Sequence, residues 1–167
     1  MAALSDISSI PAGEQLVLVL QCGIAAALGA AVGLERELAG KRAGTRTHML
    51  VAVAAALAVG LGRIVVEETS SGDPTRVLHG VVTGVGFIGA GAILDTKVGR
   101  PSGLTTAASI LAVAVLGAAC ALGAPVLAAA VTALTLLTLR AVRAVERITD
   151  VIVERRRARG VIDERDD

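Results

Sequence analysis

Five long apolar stretches constrain this chain more than any other feature of its sequence. A helix needs about 20 apolar residues to cross the hydrocarbon core of a bilayer, where every backbone amide must find a partner within its own segment. The fifth stretch approaches that length only if it continues to Val145, with Arg140 and Arg143 reaching toward the membrane surface. The pattern predicts an all-α polytopic membrane bundle of five transmembrane helices, over Gln15–Leu34, Met49–Val66, Val77–Leu94, Leu104–Leu122 and Val126–Leu139.

The composition supports a membrane protein and excludes an ordinary soluble domain. Apolar residues make up 54% of the chain and charged residues 19%, outside the usual balance of a soluble protein. Phe87 is the only aromatic residue, so neither an aromatic core nor an aromatic interfacial belt can form. Cys22 and Cys120 fall inside apolar stretches, and we interpret them as packing residues rather than as a disulfide or zinc site.

The basic residues predict the orientation of the bundle. Of the 16 Lys and Arg residues, only Arg63, near the end of the second stretch, and Arg76, just before the third, lie on the side where these two stretches join. The others fall between the first and second stretches, between the third and fourth, and after the fifth. Because positively charged loops stay in the cytoplasm, this distribution predicts an external N-terminus and a cytoplasmic C-terminus.

The same pattern divides the chain into three parts. We expect an N-terminal segment over residues 1–14, a transmembrane domain over 15–145 and a charged cytoplasmic tail over 146–167. The first ten residues contain no basic residue, and the first apolar stretch is longer than the core of a signal peptide. We therefore expect this stretch to be a retained membrane helix.

The third apolar stretch is rich in glycine, which predicts close helix packing. Its glycines are Gly80, Gly84, Gly86, Gly89 and Gly91. On a helical wheel Gly80, Gly84 and Gly91 share a stripe with Phe87, while Gly86 and Gly89 share another, so neighbouring backbones could approach from two sides. This pattern predicts a central position for the third helix. The alternative is an interrupted helix whose free carbonyls line a polar cavity.

Polar residues gather where the apolar stretches meet the predicted cytoplasmic face. A solvated loop that fixes orientation would explain them. The alternative is a binding site, since Arg46 and the Thr47 hydroxyl at a helix N-terminus could hold an anion or a neighbouring carboxylate. His48 is more typical of a surface or packing histidine. The candidate ligand-binding or partner-binding residues are Glu35, Arg36, Arg46, Thr47, Asp95, Thr105 and Thr106.

Four segments, in order, carry a resemblance to a known family. They are GLERELAGKRAGTRTHMLV, DPTR, GVGFIGAGAIL and GLTTAASILAVAVLG, and over residues 15–140 the chain resembles the MgtC/SapB family of bacterial membrane proteins. The resemblance implies a multi-span bundle in the plasma (inner) membrane, associated with adaptation to low magnesium and with bacterial survival inside host cells. It implies functional positions among the candidate residues above and at Gly84, Phe87, Gly89, Gly91 and Gly103.

Some members of that family carry a soluble C-terminal domain. Here the segment Arg140–Asp167 is predicted to be a charged amphipathic helix instead. Its arginines would be available to anionic lipid, or the segment would be a solvated tail that fixes orientation.

Two functional hypotheses remain open. The first is a nonenzymatic modulator of ion homeostasis that binds other membrane proteins, or a second copy of itself, through small-residue faces. Mg²⁺ prefers octahedral oxygen coordination, so a dedicated conduit should offer more acids than Glu35, Glu37 and Asp95. The second hypothesis is a transporter or channel for Mg²⁺ or another ion, in which the third helix breaks near Gly86–Gly91.

Enzymatic chemistry has no support in the sequence. We find no Ser/His/Asp arrangement, no repeated metal-ligand spacing and no phosphate-binding loop. We expect the lipid bilayer as a partner, and we expect no cofactor and no nucleic acid.

Overall fold

In a computed structural model the chain forms five helices, and the structure describes residues 10–69, 72–73, 75–94 and 103–158. These residues contain no strand. Each predicted apolar stretch lies within one helix, except that α4 ends one residue before Leu122. The all-α prediction is therefore confirmed. The helices are α1 (Ala12–Leu38), α2 (Thr45–Thr69), α3 (Thr75–Leu94), α4 (Leu104–Ala121) and α5 (Pro125–Ala158).

Four of the helices are long and apolar enough to cross a membrane. These candidate spans are Ala12–Leu38, Thr45–Glu67, Thr75–Ile93 and Leu104–Ala121. The apolar part of α5, Pro125–Ala141, is shorter. A fifth span stays a prediction, because it requires basic side chains near the end of this segment to extend to the membrane surface.

Local chemistry explains where the helices begin and end. The N–H and the hydroxyl of Thr75 donate to the Asp73 carboxylate at 2.9 and 2.7 Å, so this carboxylate caps the beginning of α3. Gly123 has a φ of 79°, and its N–H donates to the Cys120 carbonyl. A glycine in this left-handed conformation ends a helix without steric cost, so α4 ends here and α5 begins at Pro125.

Residues 1–132 form one compact unit and residues 133–167 a second. Within the first unit, α2 packs against α1, α3 and α4, and α1 also packs against α4. The core is built from small and branched side chains of the two central helices, among them Ala52, Ala55 and Ala56 of α2 and Ile110, Val113 and Ala114 of α4. Small side chains let helix backbones approach closely, which is how helices associate when lipid replaces water.

The prediction that the third helix is central is wrong. Only 11% of the apolar window of α3 is buried, compared with 56% for α4. A Cβ built on Gly80, Gly84, Gly86 or Gly91 would meet no atom within 4 Å. Of the five glycines of α3, only Gly89 lies against α4, where its Cβ would be 3.4 Å from the Ala107 Cβ. The glycine-rich helix is therefore a peripheral element of this unit.

The closest helix contacts use other glycines. A Cβ on Gly29 would lie 2.7 Å from the carbonyl oxygen of His48, and one on Gly33 would lie 2.6 Å from the Thr45 Cα. On α4, a Cβ on Gly117 would collide with the backbone of Ala52. Gly29 and Gly33 form a GxxxG spacing, so the small-residue contact predicted for α3 occurs between α1 and α2.

The third helix is also continuous. Every residue from Thr75 to Leu94 is helical, including the segment Gly84–Gly91. The interruption near Gly86–Gly91 that a transporter of the predicted kind requires is therefore not present.

Candidate functional site

One end of the α1–α4 unit contains a cavity of about 420 Å³. The α1–α2 loop forms one side, and the end of α3 and the start of α4 form the other. Four of the residues predicted from the sequence meet here, Thr47, Gly91, Gly103 and Thr106. The described residues that line it are Gly40, Lys41, Arg42, Ala43, Thr47, Gly91, Ala92, Gly103 and Thr106.

A second cavity, of about 480 Å³, adjoins the first. The two share Lys41, Arg42 and Thr47. The exposed side chain of Arg46 lies in this second cavity. Thr105 is exposed and lines neither cavity, and Asp95 lies outside the described residues. The second lining is Glu37, Lys41, Arg42, Gly44, Thr45, Arg46 and Thr47.

Glu35 and Arg36 form a buried ion pair at the end of α1. Nε of Arg36 donates to Oε2 of Glu35, and the two residues are 4% and 2% exposed. Neither lines the two cavities. Removing two charges from water is costly unless they neutralise each other. These two residues, predicted to bind a ligand or partner, are therefore bonded to each other.

Glu37 connects α1 to the beginning of α2. Its Oε2 accepts hydrogen bonds from the N–H of Thr45 at 3.0 Å and from the Thr45 hydroxyl at 2.7 Å. The carboxylate thereby satisfies one of the backbone donors left open at a helix N-terminus. Gly40, with a φ of 67°, reverses the chain between them, and the Lys41 N–H donates to the Arg36 carbonyl at 3.0 Å. The loop that carries Lys41 and Arg42 is thus fixed at both ends.

His48 and Ser109 form a polar contact between the two central helices. His48 is fully buried. Its Nδ1 lies 2.9 Å from the Gly44 carbonyl oxygen and its Nε2 lies 2.9 Å from the Ser109 Oγ. The Ser109 Oγ also lies 2.8 Å from the Thr106 carbonyl oxygen. If Nδ1–H donates to Gly44, the single hydroxyl proton of Ser109 can satisfy either Thr106 or His48, because a neutral imidazole has one donor.

Sequence reasoning missed this contact. It identified His48 as a surface or packing residue and did not select Ser109. A usable signal was present, since each is a polar residue at the start of an apolar stretch and both stretches begin at the same predicted membrane face. Buried polar groups are almost always hydrogen-bonded, so each implies a partner on a neighbouring helix.

Among the described residues outside the candidate spans, the Asp73 carboxylate has a shifted pKa. Hydrogen bonds from the hydroxyl and then from the N–H of Thr75 hold the pKa of Asp73 below its ordinary value. In the described parts of the chain, no group of three or more His, Cys, Asp or Glu side chains is placed to hold a metal ion.

Comparison with known proteins identifies one matching family model and several similar proteins. The family model described as "MgtC family" matches residues 22–148. SrpB of Synechococcus elongatus is 41% identical over 124 residues, which cover 65% of this chain and 65% of SrpB. YhiD of Escherichia coli K12, whose name describes a candidate magnesium transporter, is 40% identical over 104 residues, which cover 59% of this chain and 48% of YhiD.

Protein MgtC of Brucella abortus strain 2308 is 41% identical over 96 residues, covering 58% of this chain and 39% of that protein. The chain therefore matches less than two thirds of the length of each of these relatives. No solved structure gives a significant match.

Proposed function

The chain belongs to the MgtC family of membrane proteins, and we propose that it modulates other membrane proteins in magnesium or ion homeostasis without performing enzymatic chemistry. Its location would be the bacterial inner membrane. The observation that carries this proposal is the outward face of α3, which offers a docking surface for a partner helix.

This face combines small residues with one large apolar side chain. Gly80, Gly84 and Gly91 have open space where a Cβ would stand, and Phe87 is 84% exposed. In lipid, helices associate through close packing rather than through the hydrophobic effect, and glycines permit that approach. Gly29 and Gly33 of α1 are already used in the contact with α2. The open glycines of α3, beside the exposed Phe87, are therefore the small-residue face that we assign to another membrane protein or to a second copy of the chain.

The membrane arrangement is part of the proposal. We place α1 to α4 and the apolar start of α5 across the bilayer, with the N-terminus outside and the C-terminus in the cytoplasm. The support is the distribution of Lys and Arg, of which only Arg63 and Arg76 would lie on the outer side. Both cavities would then open toward the cytoplasm.

The engaged carboxylates favour a modulator over an ion conduit. Glu35 pairs with Arg36, and Glu37 accepts two hydrogen bonds from Thr45. A Mg²⁺ site draws on carboxylate oxygens. In this chain the carboxylate oxygens of Glu35 and Glu37 bond to other residues of the protein, at the end of the unit where an ion would enter.

Cross-linking in native membranes tests the proposal. Gly84→Leu fills the outward face of α3, whereas Gly23→Leu adds the same side chain at an open position on α1. We expect the wild type and Gly23→Leu to capture a partner and to support growth in low magnesium, and we expect Gly84→Leu to lose both. Equal capture by Gly84→Leu, or recovery of the lone protein with an intact phenotype, would contradict the proposal.

A transporter is the second candidate function, because YhiD is named for magnesium transport and the first cavity reaches α3 at Gly91. Purified protein in liposomes would then move Mg²⁺, and substitution of Glu35 or Asp95 would stop the flux. Flux no greater than that of empty vesicles would remove this candidate.

A further inference from the structure

We propose that the 420 Å³ cavity binds a phosphate group, carried either by a phospholipid headgroup or by free phosphate. The cavity volume lies within the range of small-ligand sites, roughly 300–1,000 Å³. Four features of its wall point to an oxyanion, and none of them depends on the outward face of α3.

The first feature is the Thr106 hydroxyl. Thr106 is 5% exposed and lines the cavity, yet its hydroxyl makes no hydrogen bond with the described part of the chain; its carbonyl accepts from Ser109. In α5, by contrast, the hydroxyls of Thr132 and Thr138 donate to the carbonyl four residues earlier. A ligand in the cavity that accepts from this hydroxyl would supply the hydrogen bond that it lacks within the described chain.

The second feature is the beginning of α4. The first backbone hydrogen bond of this helix runs from Ala107 N–H to the Gly103 carbonyl, and Gly103 supplies no side-chain cap. The N–H groups of Leu104, Thr105 and Thr106 precede that bond. Such groups carry partial positive charge and bind phosphate in many proteins.

The third feature is a second helix N-terminus at the same cavity. Glu37 satisfies the N–H of Thr45, and the first helical bond of α2 is from His48 N–H to the Gly44 carbonyl. The N–H groups of Arg46 and Thr47 lie between these two bonds. Thr47 lines the cavity opposite Thr106, so two helix dipoles direct their positive ends toward one space.

The fourth feature is charge. Lys41 and Arg42 are exposed and line both cavities. Among the lining residues that the structure describes, the only carboxylate is Glu37, which lies in the second cavity and accepts both of its described hydrogen bonds from Thr45. Among the described residues that line the first cavity there are two basic side chains and no carboxylate. Basic pockets between helix ends at the cytoplasmic surface are suited to anionic lipid headgroups.

Gly103 sets the geometry of this wall. Its φ of 90° is a conformation that favours glycine, and a Cβ there would collide with the Ala92 carbonyl. The close approach holds the first turn of α4 against the end of α3, with its N–H groups beside the cavity.

Binding to the full-length protein in neutral detergent tests the proposal with two probes. Titration calorimetry with sodium phosphate, against sodium chloride at equal ionic strength, measures free phosphate. Native mass spectrometry with phosphatidylglycerol, against diacylglycerol of the same chain length, measures the headgroup. Saturable binding of either probe supports the site and identifies the source of the phosphate group. If neither probe binds saturably, the proposal is overturned.

Variants locate the binding. Thr106→Val removes the hydroxyl at nearly constant volume and should weaken binding about tenfold, as expected for a hydrogen bond to a charged group. Thr106→Ser should retain binding. Lys41→Gln, at an exposed position, should also weaken it, and it keeps the test decisive if Thr106→Val does not fold. Arg76→Gln removes a cation at the start of α3 and should change nothing. Wild-type affinity in both Thr106→Val and Lys41→Gln would overturn the proposal.

Discussion

The Nε2 of His48 lies 2.9 Å from the Oγ of Ser109, and this contact joins α2 to α4 near the beginnings of both helices. His48 is fully buried, and Ser109 is 3% exposed. The ring is held from its other side by the Gly44 carbonyl at 2.9 Å. The pair therefore fixes the relative position of the two helices whose first turns border the candidate site.

Ser109→Ala should destabilise the protein. The substitution leaves His48 Nε2 without its partner in a buried position, which costs about 1–3 kcal/mol. Thermal or denaturant unfolding in detergent measures the change. Thr105→Ala, at an exposed position one turn earlier, is the control and should stay within about 0.5 kcal/mol of the wild type. Equal unfolding midpoints for the two variants would contradict the role given to the contact.

Gly117→Ala should disturb the α2–α4 contact. A Cβ at this position would collide with the Ala52 backbone, and overpacking of this kind costs about 1–3 kcal/mol. Gly84→Ala, where the Cβ would meet open space, should instead be neutral or stabilising by up to about 1 kcal/mol, because alanine favours helix. Unfolding midpoints of the two variants should move in opposite directions or differ clearly in size.

Glu35→Gln should destabilise the protein more than a double substitution that removes both charges of the ion pair. The single substitution leaves the buried Arg36 guanidinium without its ion-pair partner, at a cost of about 3–5 kcal/mol. Glu35→Gln combined with Arg36→Met removes both charges and should recover most of the stability. Folded yield and unfolding midpoint report the difference. If the double variant is as unstable as the single variant, the two residues do not act as a pair.

Asp73 should make stability depend on acid pH. Because the folded-state pKa is lowered by the Thr75 hydroxyl and N–H, the capping interaction stabilises the protein above the ordinary pKa of this group. That stability is lost as the pH falls through the folded-state pKa. Asp73→Asn should reduce stability at neutral pH and should differ less from the wild type in acid. Thr75→Val, which removes only the donor hydroxyl, should give a smaller effect of the same sign.

The helices could be predicted from the sequence with little error. The predicted third stretch, Val77–Leu94, begins two residues after the start of α3, and the predicted fourth stretch begins with α4. Glycine content, in contrast, misidentified the central helix. Five glycines mark α3 as suited to close contact, but nothing in that pattern states whether the contact lies inside the chain or with a partner.

The candidate site was predicted in part. Thr47, Gly91, Gly103 and Thr106 do line one cavity, because the ends of α1 and α3 meet the beginnings of α2 and α4. Glu35 and Arg36 were selected as ligand-binding residues, whereas the structure pairs them with each other. Lys41, which supplies charge to both cavities, was not selected. A lysine in a basic loop is already explained by the excess of Lys and Arg expected in cytoplasmic loops.

The amino-acid sequence determined the helical class, the helix bounds and the gathering of polar residues at one end, since each depends on the local length and order of apolar segments. The tertiary structure decided which helices are central, which glycines are in contact and which polar groups are satisfied. These are contacts between residues far apart in the chain, such as His48 with Ser109. Their geometry depends on how the helices rotate and pack against one another, and no single segment carries that information.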